Sequence, residues 1–190
     1  MQLQKINWKL FFKNQSAVEP DDFFRLFNSW IADSPEIFVD VADYQHVHDG
    51  PVTLLVGHYA DFAIDDSDRR RGLLYSQKRG GEGSHGDQLK SSLTALLKGA
   101  LRLTSDSVFG GKLFFHTNEL KLVVNDRALA PNTKETYQLL KPELESLAAT
   151  LFGAGSYTLS LDSNPKQRFS VVIQSPKDPG LSPLLSRLEK

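Results

Sequence analysis

Four short apolar runs, Ile37 to Ala42, Val52 to Val56, Phe62 to Ile64 and Leu73 to Tyr75, follow one another with Asp, Gly and His between them. Each connecting stretch is shorter than the roughly dozen residues that a crossover between parallel strands needs. The runs must therefore pair antiparallel, as a meander, and the rest of the chain has to arrange itself around that sheet.

Upstream, Ile6, Trp8, Leu10 and Phe12 alternate with Lys5, Asn7, Lys9 and Phe11, the period of a strand with one buried face. Pro20 opens a helix with Asp21 and Asp22 in its first turn, where acids suit the positive end of the dipole. Phe23, Phe27, Trp30 and Ile31 give it one aromatic face, and Ser34-Pro35 stops it. A second amphipathic helix is predicted from about Asp87 to Leu103, on Leu89, Leu93, Leu96, Leu97 and Ala100. Gly110-Gly111 then restarts a hairpin, in which Leu113 to Phe115 and Leu120 to Val124 flank a polar turn at Thr117-Asn118-Glu119. The segments Gly50 to Asp66 and Gly110 to Asp126 align without gaps, which suggests a duplicated hairpin-plus-helix unit or a chance likeness of alternating strands.

Asn132, with Glu135 three residues on, reads as the cap of a third helix whose apolar face is Tyr137, Leu140, Leu144, Leu147 and Leu151. Pro142 predicts a kink there or two shorter pieces. Tyr157 to Leu161 and Phe169 to Ile173 form a last pair of strands. The expected architecture is α+β: a single domain over residues 1–175, with a largely antiparallel sheet and its three main helices on one face. Residues 176–190 read as a linker and a short C-terminal helix. The stripe Leu181, Leu184, Leu185 and Leu188 on that helix is expected to dock on its own domain, with a homodimer through the helix as the alternative.

The 22 Lys and Arg residues nearly balance the 23 Asp and Glu, which argues against a dedicated nucleic-acid binder, whose affinity rests on neutralising phosphates. Zero cysteines remove disulfides, zinc ribbons, iron–sulfur clusters and thiol nucleophiles. No apolar run approaches the ~18 residues of a membrane span. A soluble cytoplasmic protein is the expectation.

The most polar stretch, Asp40 to Gly50, holds His46 and His48, and Gly57-His58-Tyr59 follows the next strand. On an extended backbone His46 and His48 would share a face, so that with His58 or an Asp they could hold a metal, although a solvated turn is the plainer reading. Gly81, Gly83 and Gly86 match the dinucleotide fingerprint in form only, because the mechanism needs a parallel strand and an acid about 20 residues on. Residues 101–105 are Leu, Arg, Leu, Thr and Ser, so no cofactor is expected. Lys78 and Arg79 beside a helix N-terminus could form a looser anion site over residues 78–86. Arg69-Arg70-Arg71 directly follows Asp65, Asp66 and Asp68, so it reads as a solvated hairpin tip. Asp126 and Arg127 form a polar corner, structural or ligand-binding. G-x-S-x-G, P-loop, H-E-x-x-H and EF-hand patterns are all absent from the sequence.

The blocks Asp40-Val41-Ala42-Asp43-Tyr44, His46-Val47, Asp49-Gly50-Pro51, Gly57-His58, Gly72-Leu73-Leu74-Tyr75 and Asn125-Asp126-Arg127, with Ala130-Pro131-Asn132-Thr133, recur in one order. Over roughly residues 36–135 the chain resembles an uncharacterised bacterial protein family. The resemblance implies no activity, substrate or cofactor. Members of that family often carry Pro where this chain has His48, which leaves His46 and His58 as the better candidates.

With catalytic signatures missing, the leading expectation is a non-catalytic bacterial binding or assembly protein. Its partner would be a protein or a small ligand, met through the polar strip around Tyr44 or through the tail. The alternative is a hydrolase-type enzyme with His46 or His58 as general base, oriented by Asp40 or Asp43, or an anion-binding protein at residues 78–86. The enzyme requires His46, His58, Asp43 and Asp126 to converge in one pocket.

Overall fold

In the computed structural model, which describes residues 3–14 and 18–190, the first alternation becomes strand β1 (Ile6–Phe12). Helix α1 (Pro20–Asp33) follows, and then the meander β2 (Phe38–Asp43), β3 (Pro51–Gly57), β4 (Ala60–Asp65) and β5 (Gly72–Gln77). Helix α2 (His85–Ser105), strand β6 (Phe115–Val124) and helix α3 (Lys134–Phe152) come next, before β7 (Thr158–Leu161), β8 (Phe169–Gln174) and α4 (Leu181–Leu188). The strands form one eight-stranded sheet in the order β2-β3-β4-β5-β1-β6-β8-β7. Every neighbouring pair is antiparallel. The fold is α+β, as its short connections require.

Strand β1 runs through the middle of the sheet, between β5 and β6. Its residues Ile6, Trp8, Leu10 and Phe12 face the helices and are buried. Trp8 Nε1 donates to Ser92 Oγ of α2 at 3.0 Å, which satisfies the indole where no water reaches it. Trp30 of α1 meets Phe62 of β4 edge-on at 5.8 Å, and Phe62 in turn meets Tyr75 of β5 at 5.3 Å. Helix α2 comes this close to Phe62 because position 99 is glycine: a Cβ there would fall 2.5 Å from Phe62 Cε1.

Three local expectations are corrected. Residues 115–124 are one continuous strand, not a hairpin turning at Thr117-Asn118-Glu119. Those polar residues look like a turn, but each has a distant partner: the Thr117 amide and hydroxyl meet Asp178, Asn118 Nδ2 donates to the Ser175 carbonyl, and Glu119 pairs with Arg70. The alignment with residues 50–66 is therefore no structural repeat, since that segment is the β3–β4 hairpin. Thr133, not Asn132, caps α3, accepting from the Thr136 amide. Asn132 Nδ2 instead donates to the carbonyls of Asp162 and Asn164, both at 2.9 Å, tying the start of α3 to the β7–β8 loop. The helix continues through Pro142 as one element.

Helix α4 packs against α2, α3 and β6 of its own chain, burying Leu184 and Leu188. The Gly180 amide donates to Thr117 Oγ1 at 2.8 Å, and the Arg187 guanidinium donates to the Leu151 carbonyl. The side of the stripe that a homodimer through this helix would need is consumed internally.

Candidate functional site

With the helices on one face of the sheet, the other carries the alternate residues of each strand. Here Asn7 and Lys9 of β1, Asp65 of β4, Ser76 of β5 and Lys121 of β6 border a concavity of about 640 Å³. A smaller one of about 350 Å³ continues past Asn7, Asp61 and Ser76 toward Lys5 and Lys78.

Lys9 lies at the floor. Its side chain is 3% exposed, and its Nζ meets Asp65 Oδ2, 4% exposed, at 2.5 Å. It also donates to the Ser67 carbonyl at 2.9 Å. Asp65 accepts in addition from the Ser67 amide at 3.2 Å and from the Ser67 hydroxyl at 2.8 Å. The pair is buried on an otherwise open face because the β4–β5 connection folds back across it as a short 3₁₀ turn, Ser67–Arg69. Within that turn Asp68 and Arg69 take left-handed backbone, φ 64° and 57°. The turn is held by side chains: Lys121 pairs with the Asp68 carboxylate, and the Asp68 amide donates to Asp49 Oδ1 at 2.9 Å.

Beside it, Arg70 makes a two-pronged contact with Glu119, at 2.6 and 3.0 Å, while its guanidinium lies 3.8 Å from the centre of the Phe11 ring. This explains why Phe11, on the open face, is only 2% exposed. Arg71 grips Asp66 in the same two-pronged way, at 2.8 and 2.7 Å. The charged run at residues 65–71 is thus a set of specific, partly buried pairs where a solvated tip was expected.

The hydrogen bonds from Arg70 hold the Glu119 carboxyl below its ordinary range, and those from Lys121 do the same for Asp68, each against an opposing effect of burial. Unfolded carboxylates take up protons near pH 4, whereas these two resist protonation to lower pH in the folded chain. The stability they contribute is complete above that range and drains away as pH falls through it. A urea-midpoint series against pH should therefore decline below about pH 4. Glu119→Gln should remove up to about 1 kcal/mol of the difference between neutral and acid pH, the scale of a partly exposed ion pair. A decline unchanged by the substitution would assign the acid sensitivity elsewhere.

The residues read from the sequence do not assemble into this site. His46 and His48 are exposed in the β2–β3 loop, and His58 is exposed in the β3–β4 turn. The whole of β3 separates them, so the imidazoles sit at opposite ends of a strand and the His46–His58 pocket does not form. Asp40 Oδ1 accepts from the Val41 amide within β2, and Asp43 Oδ1 from the Gln45 amide at the strand's end, both local contacts. The Tyr44 and His46 rings stand 6.4 Å apart. Asp126 Oδ1 accepts from the amides of Ala128 and Leu129, folding the corner in which Arg127 is exposed.

At residues 78–86, Lys78 Nζ is engaged by Asp61 at 2.9 Å and by the Gly57 carbonyl at 2.7 Å, while Arg79 is exposed. Ser84 and Asp87 cap the start of α2 reciprocally, so the protein's own side chains already occupy amides that an anion would use. Among the described residues, no group of three or more His, Asp or Glu side chains could hold a metal, and no helix is long and apolar enough to cross a membrane. None of the candidates borders the larger concavity, and Lys78 alone borders the smaller one. Lys9, Asp65, Asp68 and Lys121 escaped notice as a group because their pairing spans more than fifty residues of sequence. The available hint was a lysine at the centre of a strand in which Asn7 is the one other polar residue.

No protein-family model matches the chain, and no curated protein matches it.

Proposed function

We propose that this chain is a binding protein that holds a small polar ligand on the uncovered face of its sheet. The observation that carries the reading is the Lys9–Asp65 pair, almost wholly buried at the floor of the open-face concavity. Removing two charges from water is expensive, and an apolar pair of similar volume usually stabilises a fold as well or better. A charged floor is therefore better suited to recognition than to stability. The concavity also falls within the roughly 300–1,000 Å³ of small-molecule sites, and its walls offer donors from Asn7, Ser76 and Lys121 beside the acceptor Asp61. The absence of cysteine is compatible with a reducing compartment, and the cytoplasm of a bacterium is where we place it.

Ser76 lines both concavities and lies on a strand that tolerates aromatic residues, so Ser76→Trp fills the site with little threat to the sheet. Titrating the ¹⁵N-labelled protein with a library of polar metabolites should shift the amides of Asn7, Lys9, Leu74, Val123 and Ser170. Ser76→Trp should weaken those ligands by at least about tenfold, or 1.4 kcal/mol. Ligands that shift only the turns holding His46 or His58, and that ignore the substitution, would overturn the proposal.

A further inference from the structure

The geometry points to an oxyanion, carboxylate or phosphate, as the ligand class of this concavity, with the Asp68 carboxylate as its built-in competitor. The inference rests on the open-face reading and adds a charge requirement to it.

Lys9 and Lys121 are direct cross-strand partners in the β1–β6 pairing and lie on the same face of the sheet. Like charges placed directly opposite on neighbouring strands repel, so the arrangement calls for anions. Arg168, just before β8, adds a third cation to the same wall. Two carboxylates answer them, and they differ in kind. Asp65 lies within β4, is 4% exposed and accepts from Lys9 and from both the amide and hydroxyl of Ser67, so it is part of the frame. Asp68 is 55% exposed, on a three-residue turn with left-handed backbone. Among the described residues, the one side chain that hydrogen-bonds its carboxylate is Lys121, itself one of the cations.

The remaining acids of the concavity already have donors: Asp61 takes Lys78, Asp49 takes the Asp68 amide, and Asp162 takes the Asn164 amide. Arg168 has no ion-pair partner among the described residues, although its charge, with those of Lys121 and Lys9, favours ionised Asp68. A ligand oxyanion that displaced Asp68 would meet Lys121 and Arg168 together. Because Asp68 occupies Lys121, apparent affinity is reduced by the fraction of time the cation is released, and removing the competing charge restores it.

Asp68→Asn is the variant of choice, since asparagine tolerates left-handed backbone while losing the charge. Wild type and variant are titrated with inorganic phosphate and with acetate at constant ionic strength, with chloride as control, following ¹⁵N amide shifts. The variant should bind at least one oxyanion about tenfold more tightly than wild type, with shifts at Lys9, Lys121, Val123 and Ser170. Response to phosphate alone identifies a phosphoryl ligand, and response to acetate alone a carboxylate. Adding Lys121→Gln or the surface change Arg168→Gln to Asp68→Asn should abolish the gain. Equal weak binding in both proteins, or identical shifts with chloride, overturns the inference. The Ser76→Trp experiment is blind to charge, so neutral ligands that bind the open face while the oxyanions do not would defeat this inference and leave the open-face reading standing.

Discussion

Asp65→Ala should lower the free energy of unfolding by about 3–5 kcal/mol, the range for stranding one member of a buried ion pair. Lys9 would keep its ammonium in a position 3% exposed, with the Ser67 carbonyl as its remaining acceptor. The Ser67 amide and hydroxyl would lose their acceptor in the same step, so the turn that covers the pair would loosen as well. Lys9→Met should cost less, because Asp65 would still accept from Ser67. The double variant Lys9→Met with Asp65→Leu should recover much of the loss, since two apolar side chains carry no desolvation debt, though the Ser67 anchor stays broken. Urea unfolding of the parent, Lys9→Met, Asp65→Leu and the double variant closes a cycle that gives the coupling energy directly. A cost below about 1 kcal/mol for Asp65→Ala would mean that the pair behaves as a surface contact and that the floor of the site is wet.

That pair also marks the boundary of what could be read from the chain. Periodicity exposes the elements that bury one face: Ile6 to Phe12, the aromatic face of α1 and the meander all follow from alternation and connection length. Composition misleads where a polar residue is satisfied at a distance. Thr117-Asn118-Glu119 reads as a turn until Asp178, Ser175 and Arg70 are brought to it, and Asn132 reads as a cap until the β7–β8 loop supplies two carbonyls. The histidine reading fails for a related reason. His46 and His58 are close in sequence, but the strand between them is extended and carries them apart. Conversely, Lys9 and Asp65 are far apart in sequence, and only the β1–β5–β4 order of the sheet brings them together. Local pattern reports which face a residue takes; it does not report which strand lies beside it.

Leu184→Ala should destabilise the protein by about 2–5 kcal/mol, the cost of deleting a fully buried leucine. The site is sensitive because α4 is short. An eight-residue helix has no stability of its own in water, so it stays folded only while its apolar side is packed. Leu184 and Leu188 are the two residues it buries completely enough to count as core, and the helix packs against α2, α3 and β6. Adding Leu188→Ala should cost less than the sum of the two single changes if the helix detaches as a unit, because the second cavity vanishes once the first has released the helix. Detachment would also withdraw Gly180 from Thr117 and Arg187 from the Leu151 carbonyl, and would uncover the stripe on α2 and α3. Hydrogen exchange should then show the amides of residues 184–188 losing protection ahead of the sheet. Light scattering should show the double variant self-associating at concentrations where the parent stays monodisperse, because an exposed apolar stripe seeks a second copy. Retention of full stability by both leucine variants would show that the tail contributes nothing to the core, and the homodimer through α4 would again have a surface to use.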